Sequence, residues 1–217
     1  MSVLIGVPCG GGFISEQTTV GLFNLGKILV RNNIHHSILT LSNSSLITQA
    51  RSRISNFFVN NTNHEYLFFL DSDIGFDPND VLKLLNYDLD LVCGTYPMKS
   101  LEKQYCVSIK IPENKNGDLI EINGGGMGFS LIKRKVFTDI SQKYPGLKYI
   151  PSQNNSEYPY SKEEMENSYH YFAETKLNNQ FMSEDYSFFH RVAEVGYNIW
   201  LDSSIKLLHT GYHIYGE

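Results

Sequence analysis

Two carboxylates, placed one residue apart at the end of an apolar run, are the residues of this chain best suited to chemistry by type and spacing. They are Asp71 and Asp73, and they follow the apolar segment Tyr66–Leu70. Such a run, bounded by polar residues, is typical of a buried strand in a parallel sheet, and ligands of open α/β sheets bind beyond the carboxyl ends of these strands. Close carboxylates repel each other, and a divalent cation such as Mg²⁺ or Mn²⁺ relieves that repulsion while bridging to diphosphate oxygens. The pattern favours a metal-assisted enzyme that acts on a phosphorylated or nucleotide-linked substrate.

The pair of aspartates also has a purely structural interpretation. Aspartate is a common residue in the turn after a strand, and two aspartates at this spacing often occur by chance. The strand before them, and a histidine near the far end of the chain, His209, favour the functional interpretation.

The composition limits the class of protein. The chain has 217 residues, 41% hydrophobic and 19% charged, with a formal net charge of −5. We expect one domain over residues 1–217, either a whole protein or the N-terminal domain of a longer one. The charge disfavours nucleic acid as a partner, and no apolar run approaches the ~20 residues that span a membrane. Three cysteines without paired metal spacing predict a protein with reduced thiols, in the cytoplasm. The sequence does not indicate the oligomeric state.

The order of the predicted elements indicates the fold class. The first half alternates strands and helices as β-α-β-α-β-α-β, which favours an α/β fold with a mostly parallel central sheet and helices on both faces. The predicted strands are residues 3–8, 37–41, 66–70 and 89–95, and the predicted helices begin at Ser15 and cover 46–59 and 78–87. Along the inner side of the first helix we expect Val20, Phe23, Ile28 and Leu29.

The second half follows a different pattern and adds a small antiparallel part. Segments 105–111 and 119–122 flank a turn at Asn116 and Gly117, which predicts an antiparallel pair. The following segments predict, in chain order, a strand over 127–132, a helix over 133–142, a long loop over 143–162, a helix over 183–195 and strands near 198–201 and 205–208. The last strand is expected to lead into His209.

Four features, in this order, resemble the nucleotide-sugar glycosyltransferases of the GT-A fold, a Rossmann-like fold. They are the strand ending in Asp71-Ser72-Asp73, the Gly126-Met127-Gly128-Phe129 segment before a strand, Glu184-Asp185 at the start of a helix, and His209-Thr210-Gly211. The resemblance covers nearly the whole chain. The chain is also similar to the small glycosyltransferase domains of large DNA viruses of algae, of the chlorella virus type. This similarity would place the protein in the host cytoplasm.

The resemblance implies a donor site that contains a metal ion. Asp71, Ser72 and Asp73 are expected at the donor diphosphate, with Asp73 bound to Mn²⁺ or Mg²⁺, Asp71 at the ribose or the metal, and His209 completing the metal shell. Such a metal stabilises charge on the departing diphosphate. The alternative for His209 is a structural histidine at the end of a strand.

Further donor contacts are implied around the aspartates, and each has a structural alternative. The resemblance places Pro8, Cys9 and Gly10 at the nucleotide base and ribose, Arg51 at the base or diphosphate, Lys99 at a phosphate, and Gly126 and Met127 at the sugar. The respective alternatives are a strand-to-helix turn, an exposed helix charge, a solvated loop lysine and a bulge before a strand.

Glu184 and Asp185 are the residues to which the resemblance assigns catalysis. In an inverting enzyme Asp185 would take the proton from the acceptor hydroxyl, while Glu184 binds other acceptor hydroxyls. In a retaining enzyme Asp185 would instead stabilise an oxocarbenium-like state or position a sugar, and the sequence leaves both outcomes open. The structural alternative is that Ser183 caps the helix and that the two acids in its first turn stabilise it by interacting with the helix dipole.

The predicted function is transfer of a hexose from a nucleotide-diphosphate sugar, of the UDP-glucose type, to a glycan acceptor. Two other functions share part of the pattern. A non-catalytic nucleotide-sugar or glycan-binding module would need the same pocket without turnover. A haloacid-dehalogenase-like phosphohydrolase also has a strand that ends in Asp-x-Asp, but there the pair follows the first strand and precedes Gly-Thr, whereas here Ile74 and Gly75 come next.

Overall fold

A computed structural model describes residues 1–100, 102, 104–152, 159–211 and 213–215. The helices are α1 (Glu16–Arg31), α2 (Ile47–Asn61), α3 (Pro78–Asn86), α4 (Arg134–Lys143), α5 (Lys162–Glu166) and α6 (Glu184–Glu194). The strands are β1 (Ser2–Cys9), β2 (His35–Ser42), β3 (Tyr66–Leu70), β4 (Ile74–Gly75), β5 (Leu91–Cys93), β6 (Val107–Ile109), β7 (Lys115–Asn116), β8 (Leu119–Gly125), β9 (Phe129–Lys133), β10 (Lys148–Tyr149), β11 (Ser168–Tyr169), β12 (Thr175–Leu177), β13 (Gln180–Met182), β14 (Trp200–Asp202), β15 (Leu208–Thr210) and β16 (Ile214–Tyr215).

One large sheet organises the fold, in the order β2-β1-β3-β9-β5-β14-β8-β6, with β7 also paired to β8. The pairs β1–β2, β1–β3 and β5–β14 are parallel, while β8 and β9 run antiparallel to their neighbours. All the other strands of this sheet therefore point in one direction. The predicted α/β fold with a mostly parallel central sheet is confirmed, and the antiparallel part around β7 and β8 follows the predicted turn at Gly117.

The fourth predicted strand, β5, does not pair directly with β3. β9 lies between them and is hydrogen-bonded antiparallel to both. Phe129 of β9 is opposite Leu70 of β3, and Ile132 of β9 is opposite Leu91 of β5. In a series of parallel crossovers β5 would lie directly beside β3, but β9, which comes later in the chain, occupies that position.

Helices cover both faces of the sheet. Alternate side chains of β3 point to opposite faces, so that Phe68 and Leu70 pack in one apolar cluster and Leu67 and Phe69 in another. The first cluster contains the buried residues of α1 and α3, and the second contains those of α2, α4 and α6. Among the described residues, no helix is both long and apolar enough to cross a membrane.

The inner side of α1 differs from the predicted one. Ser15 caps the helix as expected, with its side chain accepting a hydrogen bond from the Thr18 N–H at 3.2 Å. The buried residues, however, are Thr18, Gly21, Leu22, Leu25 and Leu29, while Val20 and Phe23 are 53% and 66% exposed. The buried face includes Gly21 because a Cβ there would lie 2.6 Å from the Phe76 ring. Leu29 is buried as predicted, but the exposure of Val20 and Phe23 shows that hydrophobicity alone did not identify the buried face.

The last predicted strand is displaced along the chain. β15 covers Leu208–Thr210 rather than residues 205–208, and His209 lies within it, opposite Ile74 of β4. This pairing brings the end of the chain back beside the turn that follows β3. It is the reason why His209 lies next to Asp73.

The predicted long loop contains some regular structure. A 3-10 turn at Pro145–Leu147 is followed by β10, which pairs with β11, and α5 begins at Lys162. Residues 153–158 lie outside the described part of the chain. The hairpin of β12 and β13 was not predicted either, and its turn contains Asn178 and Asn179, both at positive φ.

Candidate active site

The candidate site lies at the carboxyl end of β3. Asp71 directly follows this strand, and its N–H donates to the Gly128 carbonyl at 2.9 Å. Two residues later, the Asp73 carbonyl accepts a hydrogen bond from the Thr210 N–H at 2.8 Å. The segment before β9 therefore positions the backbone of Asp71, and β15 positions the backbone of Asp73.

Arg51 joins three of the predicted carboxylates. Its Nη2 donates to both carboxylate oxygens of Asp71 at 3.0 Å, and its Nη1 donates to Glu184 Oε1 at 3.3 Å and to Asp185 Oδ1. The Arg51 side chain is only 3% exposed, and those of the three acids are 15–20% exposed. We call these four residues the carboxylate cluster, in which three acids share one buried cation.

Arg51 reaches the cluster because it lies on the buried face of α2. Ile54 and Phe58 follow it at helical spacing and pack against the sheet, so the long arginine side chain extends beneath the strand ends. Burial by itself would lower the pKa of Arg51, but the charges of Asp71 and Asp185 raise it above its ordinary value. The guanidinium therefore remains charged at any physiological pH.

Asp185 is held in an environment that disfavours its charge. Burial raises its pKa to about 6 despite Arg51, and the neighbouring Glu184 and Asp71 add to the increase. Its second oxygen, Oδ2, accepts a hydrogen bond from the Met127 N–H at 3.1 Å. A carboxylate of this pKa can both accept and release a proton near neutral pH.

The start of α6 is fixed by the unpredicted hairpin. Ser187 Oγ accepts from the Thr175 N–H at 3.0 Å and donates to the Met182 carbonyl at 3.1 Å. Ser183 occupies the cap position as expected but makes no side-chain capping bond. The hairpin thus takes part in positioning Glu184 and Asp185, which follow it directly.

Asp73 has a different set of partners. Its Oδ2 lies 2.5 Å from Lys99 Nζ and 3.5 Å from His209 Nε2. Burial would raise the pKa of Asp73, but hydrogen bonds from His209 and Lys99 lower it below its ordinary value. Asp71 and Asp73, expected to share a metal ion, are therefore engaged separately in this structure, and Asp71 as a metal ligand stays a prediction.

The residues around Asp73 fit a divalent cation. The His209 Nδ1 lies 2.8 Å from the Pro97 carbonyl, which can only accept, so Nδ1 donates its proton there and Nε2 is the ring nitrogen beside Asp73, which a metal ion could take up in place of a proton. Metal-binding histidines typically anchor their other nitrogen in this way. No group of three potential ligands from His, Cys, Asp and Glu is assembled among the described residues. Mg²⁺ sites commonly combine one or two carboxylates with substrate phosphates and water, so a site of this kind suits a metal that arrives with its substrate.

Tyr96, which was not among the predicted site residues, connects the two halves of the site. Its hydroxyl accepts a hydrogen bond from the Gly128 N–H at 3.1 Å, and its ring meets His209 edge-on at 5.1 Å between centroids. Burial, followed by the charge of Asp71, raises the pKa of Tyr96 well above its ordinary value. Tyr96 follows β5 as Asp71 follows β3, so both lie at the carboxyl ends of strands, and this position in the sequence could have indicated its role.

The remaining predicted residues surround this centre. Pro8 and Cys9 are buried at the end of β1, and Gly10 lies in the exposed turn beyond it. Burial and the charge of Asp71 raise the pKa of the Cys9 thiol. The Ser72 carbonyl accepts a hydrogen bond from the Ser15 N–H at 2.8 Å, which joins the turn after β3 to the start of α1. Met127 is fully buried in the core, with its N–H bound to Asp185.

The glycines before β9 make room for the protein itself. A Cβ on Gly128 would lie 2.3 Å from Asp71 Oδ2, and a Cβ on Gly126 would lie 2.4 Å from the Tyr96 hydroxyl. Both positions are therefore required for the carboxylate cluster and Tyr96 to approach the chain. Contact of Gly126 with a donor sugar stays a prediction.

Replacing Gly128 by alanine is expected to displace Asp71, because Arg51 holds that carboxylate from its other side. We expect a loss of about 1–3 kcal/mol in the free energy of unfolding, typical of an overpacked site. The matched control is Gly146→Ala, since nothing lies within 4 Å of the Cβ it would add. Urea unfolding of both variants measures the difference, and equal stabilities would contradict the close contact.

One of the comparisons with known proteins, that with the solved structure of A197, supports the fold. No protein-family model matches this sequence, and a search of curated proteins found no match. Among solved structures, A197 from STIV is 22% identical, with a TM-score of 0.55, covering 100% of this chain and 94% of that one. GalNAc-T7, solved with UDP, GalNAc and Mn²⁺, is 10% identical, with a TM-score of 0.48, covering 96% of this chain and 43% of its own. A UDP-glucose pyrophosphorylase complexed with UDP-glucose is 10% identical, with a TM-score of 0.49, covering 95% and 92%.

Proposed function

We propose that this chain is a metal-dependent glycosyltransferase that transfers a hexose from a nucleotide-diphosphate sugar, of the UDP type, to a hydroxyl group of a glycan. The observation that supports this most directly is the Asp73–His209 pair at the carboxyl end of β3, with its 3.5 Å separation and the anchored imidazole. The buried carboxylate cluster beside it supplies the acids that such a reaction needs.

The charges of the site favour a cation together with the donor. Asp71, Asp73, Glu184 and Asp185 carry four negative charges when ionised, and Arg51 and Lys99 carry two positive charges, which leaves −2. A diphosphate would be repelled by such a site unless a divalent ion accompanied it. Asp73 and His209 would hold Mn²⁺ or Mg²⁺, which when bound stabilises charge on the leaving diphosphate.

Lys99 and the turn after β1 are the remaining donor contacts in this proposal. The Lys99 side chain is 42% exposed and pairs with Asp73, so it can turn toward a phosphate that approaches the same carboxylate. Pro8 and Cys9 end the strand next to β3, Gly10 follows them in the turn, and these three residues would contact the base and ribose.

Asp185 would accept the proton from the attacking acceptor hydroxyl. Its pKa of about 6 keeps it ionised at neutral pH yet basic enough to take a proton. Glu184 has one oxygen bound to Arg51 and would use the other to hold an acceptor hydroxyl. This assignment corresponds to inversion at the anomeric carbon, and analysis of the product's anomeric configuration tests it.

Calorimetric titration with UDP-glucose, with and without Mn²⁺, tests the donor site. We expect binding that requires Mn²⁺, and we expect Asp73→Asn to weaken it by at least ~10-fold because a metal ligand is lost. The matched control is Asp90→Asn. Asp90 precedes β5 and so lies at the amino ends of the parallel strands, away from Asp73. It pairs with Lys135 at 2.7 Å, and its side chain is 29% exposed, against 32% for that of Asp73.

Three results would contradict this proposal. UDP-glucose and GDP-mannose could both fail to bind under all conditions, Asp73→Asn could bind as tightly as the unmodified chain, or Asp90→Asn could be equally impaired. Donor binding without any transfer would indicate the non-catalytic binding module. Release of phosphate from simple esters would indicate the phosphohydrolase.

A further inference from the structure

The outer edge of β2 is a long strand edge without the usual protection. β2 ends the sheet, and its register with β1 runs without a bulge through eight residues, from His35 to Ser42. It contains no Lys, Arg, Asp, Glu or Pro, the residues that commonly prevent edge strands from pairing with another chain. Among the described residues, no strand pairs with its outer side.

Exposed apolar side chains lie next to this edge. Ile38 of β2 is 48% exposed, and Val20, Phe23 and Val30 of α1 are 53%, 66% and 65% exposed. The three α1 residues lie on one side of the helix, since they are spaced by three and seven residues. We use the term edge surface for the outer edge of β2 together with these four residues.

Two of these α1 residues, Phe23 and Val30, lie on the side of the helix toward β2. A Cβ on Gly26 would lie 3.8 Å from His36 Nε2, which identifies the flank of α1 nearest to β2. At about 3.6 residues per turn, Phe23 and Val30 lie roughly 60° and 40° from Gly26, away from the buried face that contains Leu22 and Leu25. The apolar flank of the helix and the open strand edge thus form one surface.

We propose that the edge surface is the interface of a homodimer, in which β2 pairs antiparallel with β2 of a second copy. Side chains directly opposite in an antiparallel pair point to the same face, so each two-fold related pairing must place one residue opposite the same residue of the second copy, with the axis midway between them. Ile38 and Thr40 are the two middle residues of β2 on the α1 side, and we place the axis at Ile38, the apolar one of the two. The strand then meets itself without any opposed charges, which an uncharged strand allows.

The same axis brings the α1 helices together in matching register. His36 and Ile38 are separated by roughly 6.6 Å along the strand, which corresponds to about four residues of helix at 1.5 Å each. Since α1 runs opposite to β2, the helix position level with Ile38 lies about four residues before Gly26, at Leu22 and Phe23. The Phe23 rings of the two copies therefore meet near the axis.

The charges at the ends of α1 favour a second copy of this chain as the occupant. Glu16 begins α1 and Arg31 ends it, both are exposed, and neither forms a salt bridge with another described residue. Antiparallel α1 helices centred near Phe23 place Glu16 of one copy level with Arg31 of the other. The surface is thus complementary to itself in apolar character and in the charges at the ends of α1.

Sedimentation at several concentrations, with the full chain, tests the proposal. The unmodified chain is expected to form a particle of twice the 24.8 kDa mass of one copy. Phe23→Glu and Ile38→Lys should each raise the dimer dissociation constant by at least about 30-fold, the effect of losing an interface hot spot. Phe181→Glu is the matched control, because Phe181 is also 66% exposed but belongs to β13, away from this surface.

A charge exchange separates this interface from any other. Glu16→Arg and Arg31→Glu should each weaken the dimer, and the double exchange should restore it. A monomeric unmodified chain would overturn the proposal, as would a dimer that resists both Phe23→Glu and Ile38→Lys, or single exchanges without effect. Circular dichroism of each variant establishes that the fold is retained. Neither donor binding nor transfer enters these measurements, so their outcome is independent of the proposed activity.

Discussion

Replacing Asp185 by asparagine is expected to lower kcat for sugar transfer by about 10²–10⁴-fold, the range for loss of a general base. The amide cannot accept a proton, whereas the carboxylate, with its pKa raised to about 6, can. Binding of the donor should change little, because Asp73 and His209 are left intact. Initial rates at saturating donor and acceptor measure the effect.

The pH dependence gives this expectation a second test. Transfer by the unmodified chain should rise as the pH increases through about 6, as Asp185 loses its proton. The free energy of unfolding should respond in the opposite sense, since an aspartate in the unfolded chain has a pKa of about 3.9 and the folded state binds more protons between these values. The stability of the unmodified chain relative to Asp185→Asn should therefore fall from about pH 4 to 6.

Two outcomes would contradict the role of Asp185. One is a variant whose kcat stays within a few-fold of the unmodified value. The other is a larger loss of kcat in Glu184→Gln than in Asp185→Asn. In the arrangement proposed, Glu184→Gln mainly raises KM for the acceptor, because Glu184 binds hydroxyls and does not take the proton.

Replacing Arg51 by methionine is expected to destabilise the protein by about 3–5 kcal/mol, the usual cost of removing one partner from a buried ion pair. Methionine retains much of the length and apolar packing of the arginine stem but leaves Asp71, Glu184 and Asp185 together without their shared cation. Urea unfolding at pH 7 measures the loss. Donor binding should fail as well, since Asp71 loses both of its side-chain hydrogen bonds from Arg51.

The deficit of Arg51→Met should shrink as the pH falls. In the native chain the charge of Arg51 opposes the increase in the pKa of Asp185, so without the arginine this pKa rises further above its unfolded value, and protonation of Asp185 as the pH falls relieves part of the cost. The matched control is Arg53→Met, two residues along α2, which lies outside the carboxylate cluster and should cost less than Arg51→Met; its guanidinium lies 4.3 Å from the Tyr160 ring, a contact worth about 0.5–1 kcal/mol. Equal losses in the two variants would contradict the central role of Arg51.

A double-mutant cycle shows whether Arg51 and Asp185 act together. If they do, adding Asp185→Asn to Arg51→Met should cost less than the two single changes combined, since one unpaired buried acid is removed. Additive losses would indicate that the two side chains are energetically independent.

Local patterns in the sequence predicted the elements that carry most of the site. The bounds of β3 were predicted correctly because its five apolar residues end at an aspartate, and Pro78 marked the first turn of α3. The buried face of α1 could not be predicted in this way, because Gly21 is selected by the ring of Phe76 from another element. The insertion of β9 between β3 and β5 depends on pairings between distant segments, which no local pattern encodes.

The candidate site was predicted as a set of residues but not as a set of contacts. The structure brings Arg51 to Asp71, Glu184 and Asp185, and His209 and Lys99 to Asp73. That the two aspartates would have different partners could not be inferred from their spacing, because the orientation of each side chain depends on α2, β15 and the segment before β9. Tyr96 was missed for the same reason, as its hydrogen bond to Gly128 joins two distant turns.

The position of β9 has a consequence for how the protein is made. One edge of β3, whose five residues are all buried in the folded chain, pairs only with β9, and β9 ends at Lys133. During synthesis this edge stays open until more than sixty further residues have left the ribosome, and open apolar edges are prone to aggregation. Slow translation between β3 and β9 would therefore lower the yield of native protein, and chaperone demand should be greatest for nascent chains that end between these two strands.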